Sequence, residues 1–250
     1  NYKAESDPYM GGLTLTPVTD GIKDMLAHYG INVSDEVVLD LNNEPFPVAV
    51  TRDVSGYQVQ EIQSIDYPFY VDVRSENMNQ ESPIVSNLVA VTMNWASPVT
   101  LDEEKNTGRE AETLLYSSPN SWTLTQPYIQ PDFQAYPEYG CEVGENMQSY
   151  PLAVSVQGTF NSFFINKSSP FEKQTEEATG LETEAPAGLA ESYYTRIDQS
   201  PSTARIVVFG SATFIDDFVI NLSSQLSRDR YINSLQIFQN AVDWSVEDVD

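Results

Sequence analysis

The chain has 250 residues, of which 40% are hydrophobic, and its 37 acidic and 12 basic residues give a formal net charge of −25. This length and composition are sufficient for a substantial buried core. Because nucleic acid phosphates and anionic lipid headgroups are bound through lysine and arginine, the charge argues against both as partners.

The single cysteine, Cys141, and the single histidine, His28, limit the chemistry further. One cysteine cannot form an internal disulfide, and one thiol with one imidazole cannot build a zinc site of the usual Cys/His kind. Asp216 and Asp217 lack the spaced Asp-x-Asp-x-Asp pattern of a calcium loop. We therefore predict no cofactor and no metal.

Membrane attachment is expected only through a segment outside this sequence. No apolar run reaches the roughly 18 residues that a spanning helix requires, and no signal peptide pattern opens the chain. Because the sequence begins without an initiator methionine, we expect that it was excised from a longer protein that carries the anchor.

The first half of the chain predicts one helix and several strands. Residues 20–30 predict a short surface helix, with Asp20 capping its first turn and Gly30 ending it. Strands are predicted over 33–41 and 67–73, a short helix entering a strand over 84–95, and a further strand over 99–101. The segment 112–122 predicts an edge strand that Pro119 stops.

Residues 126–144 predict a structured loop, because three prolines interrupt them. After this loop, 152–164 predicts a strand that is buried on one face, since apolar and small or polar residues alternate. Residues 166–195 are acidic and poor in large apolar side chains, which predicts a mobile acidic loop or linker.

The C-terminal region predicts a buried strand, a Gly-Ser turn at Gly210 and Ser211, a short helix and a final helix over 228–246. The apolar stripe of the final helix is expected to pack on the sheet, with the strand 205–211 in the interior of that sheet. The stripe consists of Ile232, Leu235, Phe238, Ala241 and Val242. This pattern indicates the second half of an α/β layered domain.

Four blocks, in this order, carry a resemblance to a known family. They are a short helix with Tyr-Gly-Ile and Val-Val-Leu-Asp in 21–40, Leu-Leu-Tyr-Ser-Ser-Pro-Asn-Ser-Trp at 114–122, Pro-Leu-Ala-Val-Ser-Val-Gln-Gly-Thr-Phe at 151–160 with Ser-Phe-Phe at 162–164, and Arg-Ile-Val-Val-Phe-Gly-Ser at 205–211 with Asn-Ala-Val-Asp-Trp at 240–244. Together they resemble the extracytoplasmic domain of gliding-motility-type auxiliary proteins of ABC transporters.

The resemblance implies a flavodoxin-like or glutamine-amidotransferase-like α/β domain, a layered sheet with flanking helices that lacks its first strand-helix units here. It also implies a single extracytoplasmic domain over 1–250, anchored to the cell membrane, beside the permease and ATPase subunits of the same system. No catalytic residue is established in the family, so none is carried over. A non-catalytic domain that binds a partner or a substrate is the expected function.

A hydrolase or amidase-like enzyme on the same scaffold is the first alternative. Ser211 follows a strand as in a nucleophile elbow, but Phe209 and Thr213 break the Gly-x-Ser-x-Gly pattern. We expect Ser211 to cap a helix that begins near Ala212, leaving N–H groups for a carboxylate or phosphate. His28 lies in a surface-type helix, and acidic neighbours would raise the pKa of Cys141.

The aromatic loop is the second candidate site. Its rings offer contact area for a partner protein, a peptide or a saccharide, which would make the chain a carbohydrate-binding module in the last case. The same rings would otherwise cover the edge of the domain's own sheet. They are Trp122, Tyr128, Phe133, Tyr136 and Tyr139, in 122–139.

Overall fold

The computed structural model describes residues 2–6, 13–125, 129–165, 167, 197–226 and 230–246. The strands in these residues are β1 (Tyr2–Ser6), β2 (Leu13–Pro17), β3 (Ile31–Val33), β4 (Glu36–Asp40), β5 (Phe46–Val54), β6 (Tyr57–Ile65), β7 (Tyr70–Arg74), β8 (Ala90–Asn94), β9 (Val99–Leu101), β10 (Glu110–Tyr116), β11 (Ser121–Thr125), β12 (Pro151–Gln157) and β13 (Arg205–Phe209). The helices are α1 (Ile22–His28), α2 (Asp217–Leu226) and α3 (Arg230–Ser245).

Strands prevail over helices and pair antiparallel in several small sheets. One sheet has three strands in the order β10-β12-β13, and the others are the pairs β1-β2, β3-β9, β4-β11, β5-β6 and β7-β8. This arrangement contradicts the predicted flavodoxin-like or glutamine-amidotransferase-like layered α/β fold. A buried apolar run has the same composition in a parallel layer and in a covered antiparallel pair, so the sequence pattern could not separate the two.

The predicted first helix is confirmed in α1. The Ile22 N–H donates to Asp20 Oδ1 at 2.9 Å, and Gly30 takes a φ of 88° after the last turn. A Cβ atom at Gly30 would lie 2.7 Å from Asn106 Nδ2. Glycine is therefore required here for its conformation and for the close approach of Asn106.

Two strand predictions need correction. The segment 84–95 has turns, not a helix, before β8 begins at Ala90. Strand β12 is buried on both faces, because Ala153 and Ser155 are as buried as Leu152 and Val154. Its central position between β10 and β13 explains this burial, while β10 is the edge strand that the sequence predicts.

Strand β13 and helix α3 differ most from expectation. Among the described residues β13 pairs only with β12, and it is half-buried at the edge of its sheet. Helix α3 packs on β8 and β13 and buries Ser234, Ile237 and Ala241. Four of the five residues of the predicted stripe, all except Ala241, are exposed. The helix is rotated so that Ser234 and Ile237 face the sheet together with Ala241 of the predicted stripe.

An aromatic cluster positions the regions discussed below. Its rings meet at centroid distances of 4.8 Å for Phe46 and Tyr67, and 5.0 Å for Tyr70 and Trp95. Trp122, Ile129 and Cys141 belong to the same cluster. Within the described part of the chain no helix is long and apolar enough to cross a membrane. The predicted linker at 166–195 lies, except for Lys167, outside the described residues.

Candidate functional site

Ser211 lies in a buried turn and not at the start of a helix. Its hydroxyl donates to the Asn94 carbonyl at 2.6 Å and accepts the N–H groups of Thr213 and Phe214 at 3.2 and 3.1 Å. These bonds hold the turn together, and α2 begins six residues later, at Asp217, so the prediction that Ser211 caps a helix near Ala212 is wrong. Ser211 is 5% exposed, so its hydroxyl bonds to the protein's own backbone and has little contact with solvent.

The two residues considered as catalytic partners have other contacts. His28 Nε2 lies 3.0 Å from the Asn161 carbonyl, and its ring packs edge-on against Tyr29 and Phe163. Burial raises the pKa of Cys141 to about 11, which keeps the thiol protonated at neutral pH. The described residues thus bring no base to the Ser211 hydroxyl, whose partners among them are backbone groups and Thr213.

The aromatic loop has buried and exposed members. Trp122 is 1% exposed and donates from Nε1 to the Glu142 carbonyl at 3.1 Å, so it belongs to the core. Phe133 and Tyr136 are each 41% exposed. Tyr139 is half-buried, and a hydrogen bond to Glu138 raises the pKa of its hydroxyl. Tyr128 lies outside the described residues.

Backbone hydrogen bonds hold this loop in one shape. The Asp132 N–H donates to the Gly140 carbonyl at 2.7 Å, and the Gly140 N–H donates to the Tyr136 carbonyl at 2.9 Å. Gly140 has a φ of 66°, and a Cβ there would lie 2.7 Å from Pro131 Cβ. The exposed rings of Phe133 and Tyr136 are consequently displayed on an ordered support.

A second exposed region, the hairpin of β5 and β6, was not identified from the sequence. Strands of nine residues each are joined by Ser55 and Gly56, both with positive φ, as in a type I′ turn. The signal was present: the Ser-Gly pair follows a run with three valines and precedes Tyr57-Gln58-Val59-Gln60, in which apolar and polar residues alternate. From Thr51 to Ser64 both strands and the turn between them are exposed to solvent.

The two faces of the outer hairpin differ in composition, and apolar side chains gather on one of them near the turn. Residues directly opposite on paired strands share a face, and the register pairs Val54 with Tyr57 and Arg52 with Val59. Tyr57 is 77% exposed, and Val54 and Val59 are also exposed. The opposite face carries Gln58 and Gln60 near the turn and the exposed Ile62 farther from it. The hairpin therefore presents a small uncovered apolar cluster at its turn, on the face that also carries the ion pair of Arg52 and Glu61.

The hairpin and the aromatic loop are joined at their bases by Tyr67. Its hydroxyl donates to the Ile129 carbonyl at 2.8 Å and accepts from Trp95 Nε1 at 3.1 Å. Its ring contacts Phe46, the first residue of the hairpin. We call the exposed apolar side chains of the two regions the hairpin–loop surface, which consists of Val54, Tyr57, Val59, Phe133 and Tyr136.

The two regions thus present exposed apolar groups on ordered supports. The chain matches the family described as "ABC-type uncharacterized transport system" over residues 2–247. It therefore belongs to this family of auxiliary components of ABC-type transport systems, as the resemblance in its sequence predicted. The narrower gliding-motility label stays a prediction.

A relative from Borreliella burgdorferi, an uncharacterized protein, is 23% identical over 209 residues. The aligned part is 83% of this chain and 32% of the relative, so the chain spans about a third of that protein's length. No solved structure matches the chain. Among the described residues no three histidine, cysteine, aspartate or glutamate side chains gather as a metal site.

Proposed function

We propose that this chain is a non-catalytic domain of a membrane-anchored ABC transport component, acts on the extracytoplasmic face, and binds the permease of its system through the hairpin–loop surface. The family match over residues 2–247 is the observation that carries the proposal. The ATPase subunit belongs to the same assembly and is reached through the permease.

The hairpin–loop surface has the chemistry of a protein contact. Interfaces are enriched in tyrosine and other aromatic residues, and a few buried anchors supply most of the binding energy. Tyr57 at the hairpin turn and Phe133 with Tyr136 on the loop have this character. Arg52 and Glu61 lie on the same face of the outer hairpin as Tyr57 and Val59 and pair with each other at 2.7 Å. Because these two charges already have partners, apolar contact would contribute most to the association.

Co-purification of the full-length protein with its permease and ATPase tests the proposal. Val59→Ser and Tyr57→Ser remove apolar groups from one face of β6, and each is expected to reduce recovery of the permease, since truncating an anchor costs about 1–2 kcal/mol or more. Gln58→Ser is the matched control, because it changes the adjacent residue on the opposite face. Equal recovery with all three variants would contradict this use of the hairpin.

Placement outside the cytoplasmic membrane has its own experiment. Tyr57→Cys is introduced into a full-length protein in which any cysteine outside this chain is replaced by serine, and intact cells are treated with a membrane-impermeant maleimide. Cys141 is buried, so the introduced thiol would dominate the labelling. Labelling before lysis supports the extracytoplasmic placement. Labelling only after lysis contradicts it.

Saccharide or peptide binding by the aromatic loop is the second candidate function, and the ordered display of Phe133 and Tyr136 is the observation that favours it. Exposed aromatic rings on a fixed support can stack on a sugar face. Glycan-array binding that disappears with Tyr136→Ala and persists with Tyr116→Ala, an exposed tyrosine of β10, would support it. Tyr128 and Tyr139 remain proposed contributors, while Trp122 and Ser211 would act from the core as supports.

A further inference from the structure

A pocket with two cationic side chains lies away from the hairpin–loop surface, where β10 begins and β12 ends. Its volume is about 300 Å³. Residues that supply hydroxyl, amide or charged groups surround it, among them one carboxylate, and they include Lys105, Thr107, Arg109, Glu110, Gln157 and Ser202. Two positive side chains in one concavity are unusual in a chain with only 12 basic residues against 37 acidic ones.

Arg109 is fixed in this pocket by bonds that use only part of its guanidinium. Nε donates to the Thr159 carbonyl at 3.0 Å, and Nη1 donates to the Tyr29 carbonyl at 2.7 Å. The group also stacks 4.4 Å from the centre of the Phe160 ring. Among the described residues nothing accepts from Nη2. An arginine presents five donors in a rigid fork, so part of the fork is available.

The charge of Arg109 has no carboxylate partner at ion-pair distance within the described residues. Other cations of the chain do have one: Arg52 pairs with Glu61 at 2.7 Å, and Arg74 pairs with Asp72 at 2.6 Å. Partial burial lowers the pKa of Arg109, because desolvation disfavours its charge. An anion in the pocket would compensate that charge.

Lys105 lines the same pocket as Arg109, and its ion pair with Asp102 is long. Its Nζ lies 4.0 Å from Asp102 Oδ2 and donates to the Ala27 carbonyl at 2.7 Å. Both cations therefore also bind carbonyls at the C-terminal end of α1, where positive charge is favourable. That structural role uses Nη1 of Arg109 and one donor of Lys105, which leaves further donors for a ligand.

Gly158 makes room for this arrangement. A Cβ atom at residue 158 would lie 2.8 Å from Arg109 Cγ, so a larger residue would displace the arginine. We infer that the pocket between Lys105 and Arg109 binds the oxyanion group of a small ligand, either a carboxylate or a phosphate. The inference does not depend on the proposed permease contact, because it concerns other residues.

The test is a titration of the ¹⁵N-labelled protein with acetate, which represents carboxylates, and with inorganic phosphate, which represents phosphate esters, at constant ionic strength set by sodium chloride. Saturable shifts of the Gly108 and Gly158 amides are expected, with a Kd on the order of 1 mM for an isolated group. If just one of the two anions gives saturable shifts, that anion identifies the ligand group as a carboxylate or as a phosphate. Shifts that stay linear or absent with both anions overturn the inference.

Variants separate recognition from structural support. Arg109→Lys keeps the charge but loses the fork, and Lys105→Gln removes the second cation, so each is expected to weaken binding about tenfold or more. Arg52→Gln removes one positive charge on the hairpin and is expected to leave the Kd unchanged. If Arg109→Lys lowers the stability of the fold, the anion Kd of Lys105→Gln is the deciding measurement. Unchanged affinity in folded Lys105→Gln and Arg109→Lys would also refute the site.

Discussion

Single residues with special backbone conformations control the aromatic loop. Gly140 combines a φ of 66° with close contacts to Pro131 and Phe133, whereas Gly108 has a φ of 82° and open space around it. Both positions disfavour a side chain through backbone strain, but only Gly140 adds a steric conflict. The two glycines therefore form a matched pair.

Gly140→Ala is expected to lower the free energy of unfolding by about 2–3 kcal/mol, and Gly108→Ala by about 1 kcal/mol, because strain alone acts at Gly108. Urea unfolding followed by fluorescence measures both. If the two variants lose equal stability, the contact between the loop and residue 140 is less tight than described.

Cys141 makes stability depend on alkaline pH. Burial raises its pKa from 9.0 to about 11, so the folded state keeps a proton that the unfolded state loses. The stabilisation is complete below pH 9 and is lost as pH rises to 11. In urea titrations the wild type should therefore lose stability more steeply over this interval than Cys141→Ala. Parallel pH profiles would contradict a buried, protonated thiol.

At the scale of secondary structure elements, local sequence signals predicted where α1 begins and ends, but the sequence did not predict which face of α3 packs on the sheet. The capping aspartate and the terminal glycine located α1 correctly, because both act within one turn. The rotation of α3 depends on which face approaches β8 most closely, and a sequence with apolar residues on two neighbouring stripes allows both orientations. The hairpin was missed for a different reason: its apolar side chains are uncovered, so they do not mark a core-facing strand.

Ile237 and Ile232 test the observed rotation of α3. Ile237 is fully buried and Ile232 is half exposed. Ile237→Ala is expected to cost about 2–5 kcal/mol, and Ile232→Ala about 1 kcal/mol or less. Chemical denaturation of the two variants gives the comparison. A larger loss for Ile232→Ala would restore the stripe that the sequence predicted.

At the scale of the whole molecule, family and fold were inferred with different success. Four ordered blocks identified the family correctly, because their residues and order can be read directly. The layered α/β architecture was wrong because it was carried over by analogy, and because Leu152–Val156 reads alike in either kind of sheet. Of the candidate site, Phe133 and Tyr136 were named from the sequence as possible contact residues or as cover for the sheet edge, and both are exposed. The pocket of Lys105 and Arg109 could not be predicted, because its other walls come from residues near 158 and 202.

The net charge of −25 predicts a salt response of the whole molecule. Carboxylates repel one another more in the compact state than in the unfolded chain, and salt screens this repulsion. Sodium chloride is therefore expected to raise the midpoint of thermal unfolding from its value at low ionic strength. Calorimetry over a range of salt concentrations measures the effect, and a falling midpoint would show that attractive ion pairs outweigh the repulsion.

The length of the hairpin has a consequence for distance. Nine residues at about 3.3 Å each extend roughly 30 Å, which is close to the hydrocarbon thickness of a bilayer. Phe46, Pro47 and Val48 are buried or half-buried, and continuous exposure begins at Thr51, so four residues of β5, or roughly 13 Å, extend past the part that packs on the body. Tyr57 at the turn can therefore reach a partner at a greater distance from the core than Phe133 and Tyr136.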